Sequence, residues 1–430
     1  MSESYLIITY SYKPIILPLA FRWAAIAEYW SSQGNRVDVI SVWKPGLPKE
    51  EISKGVNIHR VGGGLIEILR QKYYTKTNNK RKNNNTKLIH NQKSIIKLIH
   101  DYTWKKVYWP DYACLWYFPC KKRVFDLFKN EQYDKVISVS LPFTDHLIPL
   151  YLKKKYFNFT WIVDMGDPFY FLTETPTNNR KIYNNLNFMI ERRVFQVADA
   201  IMVTPEAINK YKEVFPESSR KMHIVPTLLP FEINNFNFLN QYLDFSNKIK
   251  LVFIGTLYKR IRNPNFLLEL YNNILKIKLK KSLELHFIGN INDCEYCFET
   301  YKHLLNKKIF IHGIVKKEKA YKLMKEADVL INIGNNIPYQ LPSKVVEYAS
   351  TGKPIINIVK KETDNTINFF NNYPIKLNII EESDKTIDEQ SQEIKTFFQT
   401  LPKIINVNEL KQFIEPFKVK NVAETYSKIN

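Results

Sequence analysis

The chain has 430 residues, 63 Lys plus Arg against 42 Asp plus Glu for a net charge of +21, and 45% hydrophobic residues with 26 Tyr and 27 Phe. That length exceeds a single core and makes two domains the default, the apolar share excludes a disordered chain, and four cysteines exclude a disulfide scaffold. The positive excess suits an anionic partner such as phosphate, a membrane surface or nucleic acid, although the joint enrichment in Asn, Ile, Tyr, Phe and Lys is also what AT-rich coding produces.

Met1–Ser4 carries an acid rather than lysines, and the apolar run behind it is broken by Lys13, Pro14 and Pro18. We expect neither a secretory leader nor a membrane span there, and a cytosolic protein. "YLIITYSY" is expected as a strand, "FRWAAIAEYWSSQG" as a helix closed by Gly34, and "RVDVISVW" and "VNIHRVGG" as the next strands. "DKVISVS", "FTWIVDM", "ADAIMVTP" and "KMHIVPT" follow, each near-continuously apolar, with helical periods such as "TDHLIPLYLKKKY" and "NNLNFMIERRVFQVA" between them. Apolar strands alternating with helices mean a parallel sheet covered on both faces.

The pattern then restarts. "KIKLVFIGT", "LELHFIG", "KIFIHGIV", "ADVLINIG", "KPIINIV" and "IKLNII" are expected strands, with helices "NPNFLLELYNNILKI" and "KEKAYKLMKEA" among them. The reading is a first α/β domain over 1–228, a linker over 229–248 and a second doubly wound domain over 249–405. A helical segment over 406–430, broken at Pro416, is a candidate to pack back on the first domain. Ligands bind such folds outside the carboxyl ends of the strands, here in a cleft between the two domains.

One stretch fits neither domain. Arg70–Trp109 is densely basic, with Asp101 its single acid, and its rear part "SIIKLIHDYTWKKVYW" interleaves apolar residues with lysines. An amphipathic helix on an anionic bilayer and a solvated insertion packed on the first domain both fit it. Cys294 and Cys297 form one CxxC, but Cys114 and Cys120 are spaced too widely for a second, so ordinary thiols are favoured over a zinc site.

The segment "PYQLPSKVVEYASTGKPII" carries the most chemistry. Pro342 and Ser343 are expected to start a helix that Gly352 and Pro354 stop. A capping box from Ser343 needs its acid at 346, which is Val, so Glu347 comes one residue too late. At about 100° per residue, Ser343, Glu347 and Ser350 share one stripe and Val345, Val346 and Ala349 the opposite one. A carboxylate at that place gains about 0.3–1 kcal/mol from the helix dipole, against about 1.5–3 kcal/mol for each hydrogen bond taken from a ligand hydroxyl. With first-turn N–H groups for a phosphate, the pattern fits a nucleotide diphosphate, and a purely structural Glu is the alternative.

This segment resembles the donor-site motif of retaining, family 4-like glycosyltransferases of the GT-B fold, of the kind that builds bacterial surface polysaccharides. In that family two glutamates seven residues apart flank this turn, and the second grips the ribose. Glu347 matches the second, and Tyr339 stands where the first would be. "LVFIGTLYKRIRNPNFLLEL" resembles the family's diphosphate-binding turn, with Gly255 for close approach and Arg262 in the place of a phosphate-binding Lys. Thr256 replaces an Arg that members often carry there, a loss that Arg260 is placed to offset. "HFIGN" with Gly289, and "IHGIVKKEKAYKLMKEADVLINIG" with Gly313 and Gly334, resemble the next two segments, and Gly334, Asn335 and Asn336 form the loop expected beside the sugar. The resemblance thus implies a donor site of Gly255, Thr256, Arg260, Arg262, Gly289, Gly334, Asn335, Tyr339, Pro342, Ser343, Lys344 and Glu347.

The first domain matches less fully. Arg22 is in register for the acceptor side, but Ile16 and Leu17 fill a loop that is diglycine in the family. "WIVDMGDPF" resembles a family signature through Asp164, Asp167 and Pro168, with Gly166 where an Arg is usual. No histidine stands at this strand end, so Asp164 and Asp167 are the stand-ins for acceptor orientation, beside Arg262 on the leaving group. His146, at a helix start, reads as a capping or core residue.

The resemblance implies transfer of a sugar with retention from a nucleotide-diphosphate donor to a glycan or lipid-linked acceptor, without cofactor or bound metal. It leaves the membrane-surface reading of Arg70–Trp109 open and gives nucleic acid no reading surface. A nucleotide-sugar epimerase of the same fold and a degenerate, non-catalytic partner of an active transferase are the alternatives.

Overall fold

The computed structural model describes residues 2–64, 107–155, 158–229, 248–277, 279, 281–401 and 406–429. Residues 230–247 of the linker expected over 229–248, and the basic stretch as far as residue 106, lie outside the described residues. The chain divides into two compact units, Met1–Pro226 with Val422–Asn430, and Thr227–Asn421.

In the first unit the strands are β1 (Ser4–Ile8), β2 (Arg36–Val42), β3 (Glu50–Ser53), β4 (Val56–Val61), β5 (Lys135–Val139), β6 (Thr160–Met165), β7 (Ala200–Val203) and β8 (Met222–Ile224). They form one sheet in the order β3-β4-β2-β1-β5-β6-β7-β8. All neighbours are parallel except β3, which folds antiparallel on β4. The hairpin went unread because Lys49–Ser53 is short and charged, and Gly55, at φ +78°, makes the turn. The helices of this unit are α1 (Pro18–Ser32), α2 (Tyr117–Asn130), α3 (Thr144–Leu152), α4 (Arg180–Val197) and α5 (Ile208–Val214). Helix α1 starts on Pro18 and ends before Gly34 at φ +84°, where the left-handed region favours glycine.

Helix α4 places Glu191 in the interior, its Oε2 accepting the Tyr170 N–H at 2.8 Å. Burial pushes this carboxyl up to about 8, against the pull of the Tyr170 and Phe169 amides and the Tyr211 hydroxyl. The folded chain therefore keeps a proton there that the unfolded chain releases near its ordinary value of 4.5. The stabilisation is complete below that value and is lost as pH rises through about 8. Glu191→Gln should flatten the slope, at most about 1.4 kcal/mol per pH unit, in urea unfolding curves taken across that range.

The second unit contains β9 (Lys248–Ile254), β10 (Ser282–Ile288), β11 (Ile309–Gly313), β12 (Val329–Ile333), β13 (Ile355–Val359) and β14 (Lys376–Ile380). They are all parallel, in the order β11-β10-β9-β12-β13-β14. Helices α6 (Asn265–Lys276), α7 (Lys317–Lys325), α8 (Lys344–Ser350), α9 (Asn365–Phe369), α10 (Ile387–Thr400) and α11 (Val407–Ile414) follow, and α12 (Val419–Ser427), the last helix, belongs from Val422 onward to the first unit. Alternation along β9 divides the core. Ile249, Leu251 and Phe253 pack with α6 and α10 on one face, and Val252 and Ile254 with α7, α8 and α11 on the other. The chain reverses its winding between β9 and β12, and a crevice opens outside the carboxyl ends at such a switch point.

Strand ends meet closely there. Gly255 N–H donates to Ile288 O and Gly289 N–H to Gly313 O, at 2.9 and 2.8 Å. Gly289 sits at φ +125°, and a Cβ on it would stand 2.1 Å from the Gly255 carbonyl oxygen. Backbone cannot retreat as a flexible side chain can. Gly289→Ala is therefore expected to destabilise the chain by about 3 kcal/mol or more, read as a lowered urea midpoint.

Candidate functional site

Loops that follow β9, β12 and β13, and helix α8, surround the switch point of the second unit. After Ile254 the chain turns at Gly255, where a Cβ would meet Arg262 Nη1 at 3.2 Å. Glycine thus lets a guanidinium lie against the main chain. Tyr258 and Arg262 exchange backbone hydrogen bonds of 3.1 and 2.9 Å, which closes a tight turn with Lys259 and Arg260 exposed at its tip. The turn returns Arg262 to the strand end and carries Arg260 away from it.

Arg262 donates from Nη2 to Asn335 Oδ1 at 2.6 Å and from Nη1 to the Thr256 carbonyl at 3.3 Å, and its Nε is enclosed without an acceptor. Among the described residues no carboxylate forms an ion pair with it. Burial lowers its pKa, opposed by Tyr348, Tyr258 and Asp364. Such a cation is costly in isolation and is ready for an anion.

Gly334 closes β12, its N–H bonded to Ile358 O at 2.8 Å, and a Cβ on it would stand 2.5 Å from Asp364 Oδ2. The bare glycine admits this carboxylate to the strand end. Asp364 caps α9, its Oδ1 accepting the Thr366 N–H and hydroxyl at 2.8 and 2.6 Å. Burial raises its carboxyl, opposed first by the Thr366 bonds and then by Arg262. Asp364 escaped the sequence reading. Its only local signal is an Asp two residues before a Thr, which marks a helix cap and not a site. Asn336 N–H donates to Ile261 O at 3.1 Å and ties the two loops together, so Asn335 is held against Arg262.

Helix α8 is only seven residues long. Ser343 stands at its N-cap with φ −56° and ψ −23°, and its side chain caps nothing. The Val345 N–H is already bonded to Pro342 O at 3.1 Å. The helix start therefore offers a phosphate less than expected, because one first-turn amide is occupied and so few peptide dipoles align. The expected split between a polar and an apolar stripe also gives way, since every residue from Val345 to Ser350 is buried. Glu347 is 8% exposed, with both oxygens bonded to Lys344 Nζ at 2.7 and 2.6 Å. Next to it, the Tyr348 hydroxyl accepts the Ile254 N–H at 2.7 Å and bonds Ile254 O at 3.2 Å, which locks α8 to the end of β9. Arg262 and Glu347 both act on this phenol, in opposite senses. Tyr339 is buried in the loop that precedes α8.

In the first unit, Asp164 ends β6 and is 1% exposed. Its Oδ2 accepts Trp23 Nε1–H at 3.1 Å and its Oδ1 the Tyr426 hydroxyl at 2.8 Å. Arg22 donates to the same Tyr426 hydroxyl and to Pro226 O, both at 2.9 Å. Burial raises the Asp164 carboxyl, against Arg22, Tyr426 and Trp23. The geometry ties Arg22 and Asp164, expected on the acceptor side and in catalysis, to the last helix through Tyr426. Asp167 lies part-exposed on the next loop and acts on the buried Tyr211 phenol. His146 is buried between the hydroxyls of Ser138 and Ser140 at 2.7 and 2.8 Å, and burial lowers it to about 3.

Among the described residues no group of three or more His, Cys, Asp or Glu is placed to hold a metal ion, and no helix is long and apolar enough to cross a membrane. Cys294 and Cys297 are buried free thiols.

Two parallel-sheet units in series, the second with a phosphate-type turn at its switch point, define the GT-B fold. The whole chain superposes on sucrose-phosphate synthase from Thermosynechococcus elongatus, with a TM-score of 0.63, 11% identity and coverage of 100% of this chain and 98% of that one. It also resembles a glycosyltransferase from Rickettsia africae, with a TM-score of 0.59, 14% identity and 100% and 97% coverage. The Anabaena protein HepE, solved with UDP and glucose, gives a TM-score of 0.54, 11% identity and 99% and 98% coverage. Residues 248–365 match the family described as "Glycosyl transferases group 1", so the second unit carries a domain of that family. An uncharacterized glycosyltransferase of Methanocaldococcus jannaschii is 30% identical over 190 residues, 43% of this chain and 45% of that protein. The match thus spans less than half the length of that relative.

Proposed function

We propose that the protein is a glycosyltransferase that moves a sugar, with retention, from a nucleotide-diphosphate donor to a glycan or lipid-linked acceptor in cell-surface polysaccharide assembly. The observation that carries this reading is the half-buried Arg262 guanidinium, which forms no ion pair among the described residues, at the switch point of a group 1 domain that also holds Glu347. In this reading Arg262 neutralises charge that grows on the leaving diphosphate, from a position set before the reaction. Its planar fork matches phosphate oxygens two at a time. Glu347 accepts the two ribose hydroxyls, and Lys344 is released towards the diphosphate. Gly255 lets the phosphates approach the main chain, with Thr256 and Gly289 shaping the wall. Asn335, with Tyr339 and the Asp364 carboxylate, faces the sugar. The complexes of HepE with UDP and with UDP-glucose, on a like fold, support a uridine donor as the first to try.

The test is a panel of nucleotide sugars read by thermal shift, since a bound donor stabilises the folded chain, followed by product analysis with and without acceptor. A shift with one donor and a product that needs acceptor is the expected result. Conversion of the donor without acceptor identifies an epimerase, and no shift with any donor identifies a non-catalytic partner.

A further inference from the structure

Helix α4 is inverted in its polarity. Its buried side holds Asn187 and Glu191 beside Val194 and Phe195, while Ile182, Leu186 and Met189 are 62%, 46% and 63% exposed. Positions spaced by four and then three form one line along a helix. Lone exposed aliphatics are ordinary, but three in line form a patch that calls for a partner.

The line continues beyond the helix. The Tyr183 hydroxyl donates to Val107 O at 2.7 Å, and Val107 is 64% exposed. Trp109 Nε1–H donates to Asn187 Oδ1 at 3.1 Å, and the same indole lines a groove of about 420 Å³ with Leu115, Phe118, Leu150, Tyr151 and Lys154. Phe118, at the mouth of α2, is 66% exposed.

The charges on these two stretches are sorted by burial. Asp111 is the one acid of 107–125 and Glu191 the one acid of α4, and both are fully buried. The next acid along, Asp126, is paired with Lys129. Lys122, Lys181, Arg192 and Arg193 are exposed, and of these Arg192 is paired with Glu217. The surface is therefore aliphatic with a cationic rim, and the adjoining sequence 70–106 is itself basic. Protein partners are usually gripped by Trp, Tyr and Arg set in pockets, whereas a convex aliphatic line between cations matches acyl chains beneath anionic headgroups.

We propose that this face of the first unit docks on an anionic phospholipid surface. Ile182, Leu186, Met189 and Val107 enter the headgroup layer, and Lys181, Arg193 and Lys122 meet lipid phosphates. This inference stands apart from the donor-site reading, because its test needs no nucleotide.

The test is sedimentation of the full chain with phosphatidylcholine vesicles, plain or with about one third phosphatidylglycerol. The chain is expected to sediment with the anionic vesicles alone. Joint Leu186→Glu and Met189→Glu should lower the bound fraction by about tenfold or more. Lys181→Glu with Arg193→Glu should weaken binding and its dependence on salt, and as rim changes these are expected to leave the melting temperature in place. The proposal is overturned if the chain stays in the supernatant, if plain vesicles bind as much, or if the stripe variant sediments like the wild type. It also fails if deletion of Thr75–Asn85 abolishes binding while the stripe variant retains it. A dimer in light scattering that Leu186→Glu dissociates, without vesicle binding, would assign the face to a second copy of the chain.

Discussion

Glu347→Ala should weaken donor binding by about ten- to a hundredfold for each hydrogen bond lost to the charged group, while the chain stays folded. The carboxylate is nearly enclosed, yet its partner Lys344 keeps 32% of its side chain in water. A lysine left so exposed rehydrates, and a pair open to solvent on one side contributes about 0–1 kcal/mol to stability. Calorimetry with the donor that shifts the melting curve most is the measurement. An unchanged affinity would remove the ribose assignment and leave Glu347 as a structural acid paired with its own helix. Glu347→Gln separates charge from shape, since the amide keeps the volume and one acceptor oxygen but loses the strong, charge-assisted bonds.

Arg262→Leu should act oppositely on stability and turnover. Removing a donor to developing charge costs about 10²–10³ in turnover, so transfer should fall by that order while donor affinity falls less. Stability should hold or rise, because a half-enclosed cation with no ion pair among the described residues destabilises the folded chain and leucine does not. The losses are the bonds to Asn335 and Thr256, each at most about 1.5–3 kcal/mol for a charged donor, which the relief from burying the cation has to offset. A melting temperature that rises while turnover collapses would mark Arg262 as a residue kept for chemistry. A collapse of both together would mark it as structural.

The strands were legible because each is a short apolar run between turn residues, and a sheet covered on both faces demands that pattern. "KIKLVFI" and "VLINI" announce β9 and β12 without tertiary help. The hairpin strand Glu50–Ser53 was not legible, since its residues are polar and partly exposed and it exists only by pairing with β4. Gly255, Arg262 and Glu347 are candidates for the site because their order along the chain resembles a family pattern. Asp364 could not be read, because its place depends on the space left by Gly334, thirty residues earlier in the chain.

Arg22 and Asp164 show what the sequence hides. Both sit at motif positions, and both are taken up by Tyr426, a residue whose distance in sequence hides the contact. Asp164 was expected to face a substrate, but the fold closed a helix over it. Gly289, expected in the donor site, has a steric reason to be glycine. Its glycine serves the steric junction with Gly255, whatever the ligand.

By itself the amino-acid order determined the class of fold, the two-unit organisation and the candidates for phosphate and ribose, because periodicity and spacing are local properties that survive without coordinates. Only the folded chain decided which charges are partnered, that Arg262 forms no ion pair among the described residues while Asp164 is taken up by Trp23 and Tyr426, and that three aliphatic side chains of α4 stand exposed. Those outcomes depend on which residues distant in sequence reach a group first and exclude water from it, and desolvation is a property of the packed structure alone.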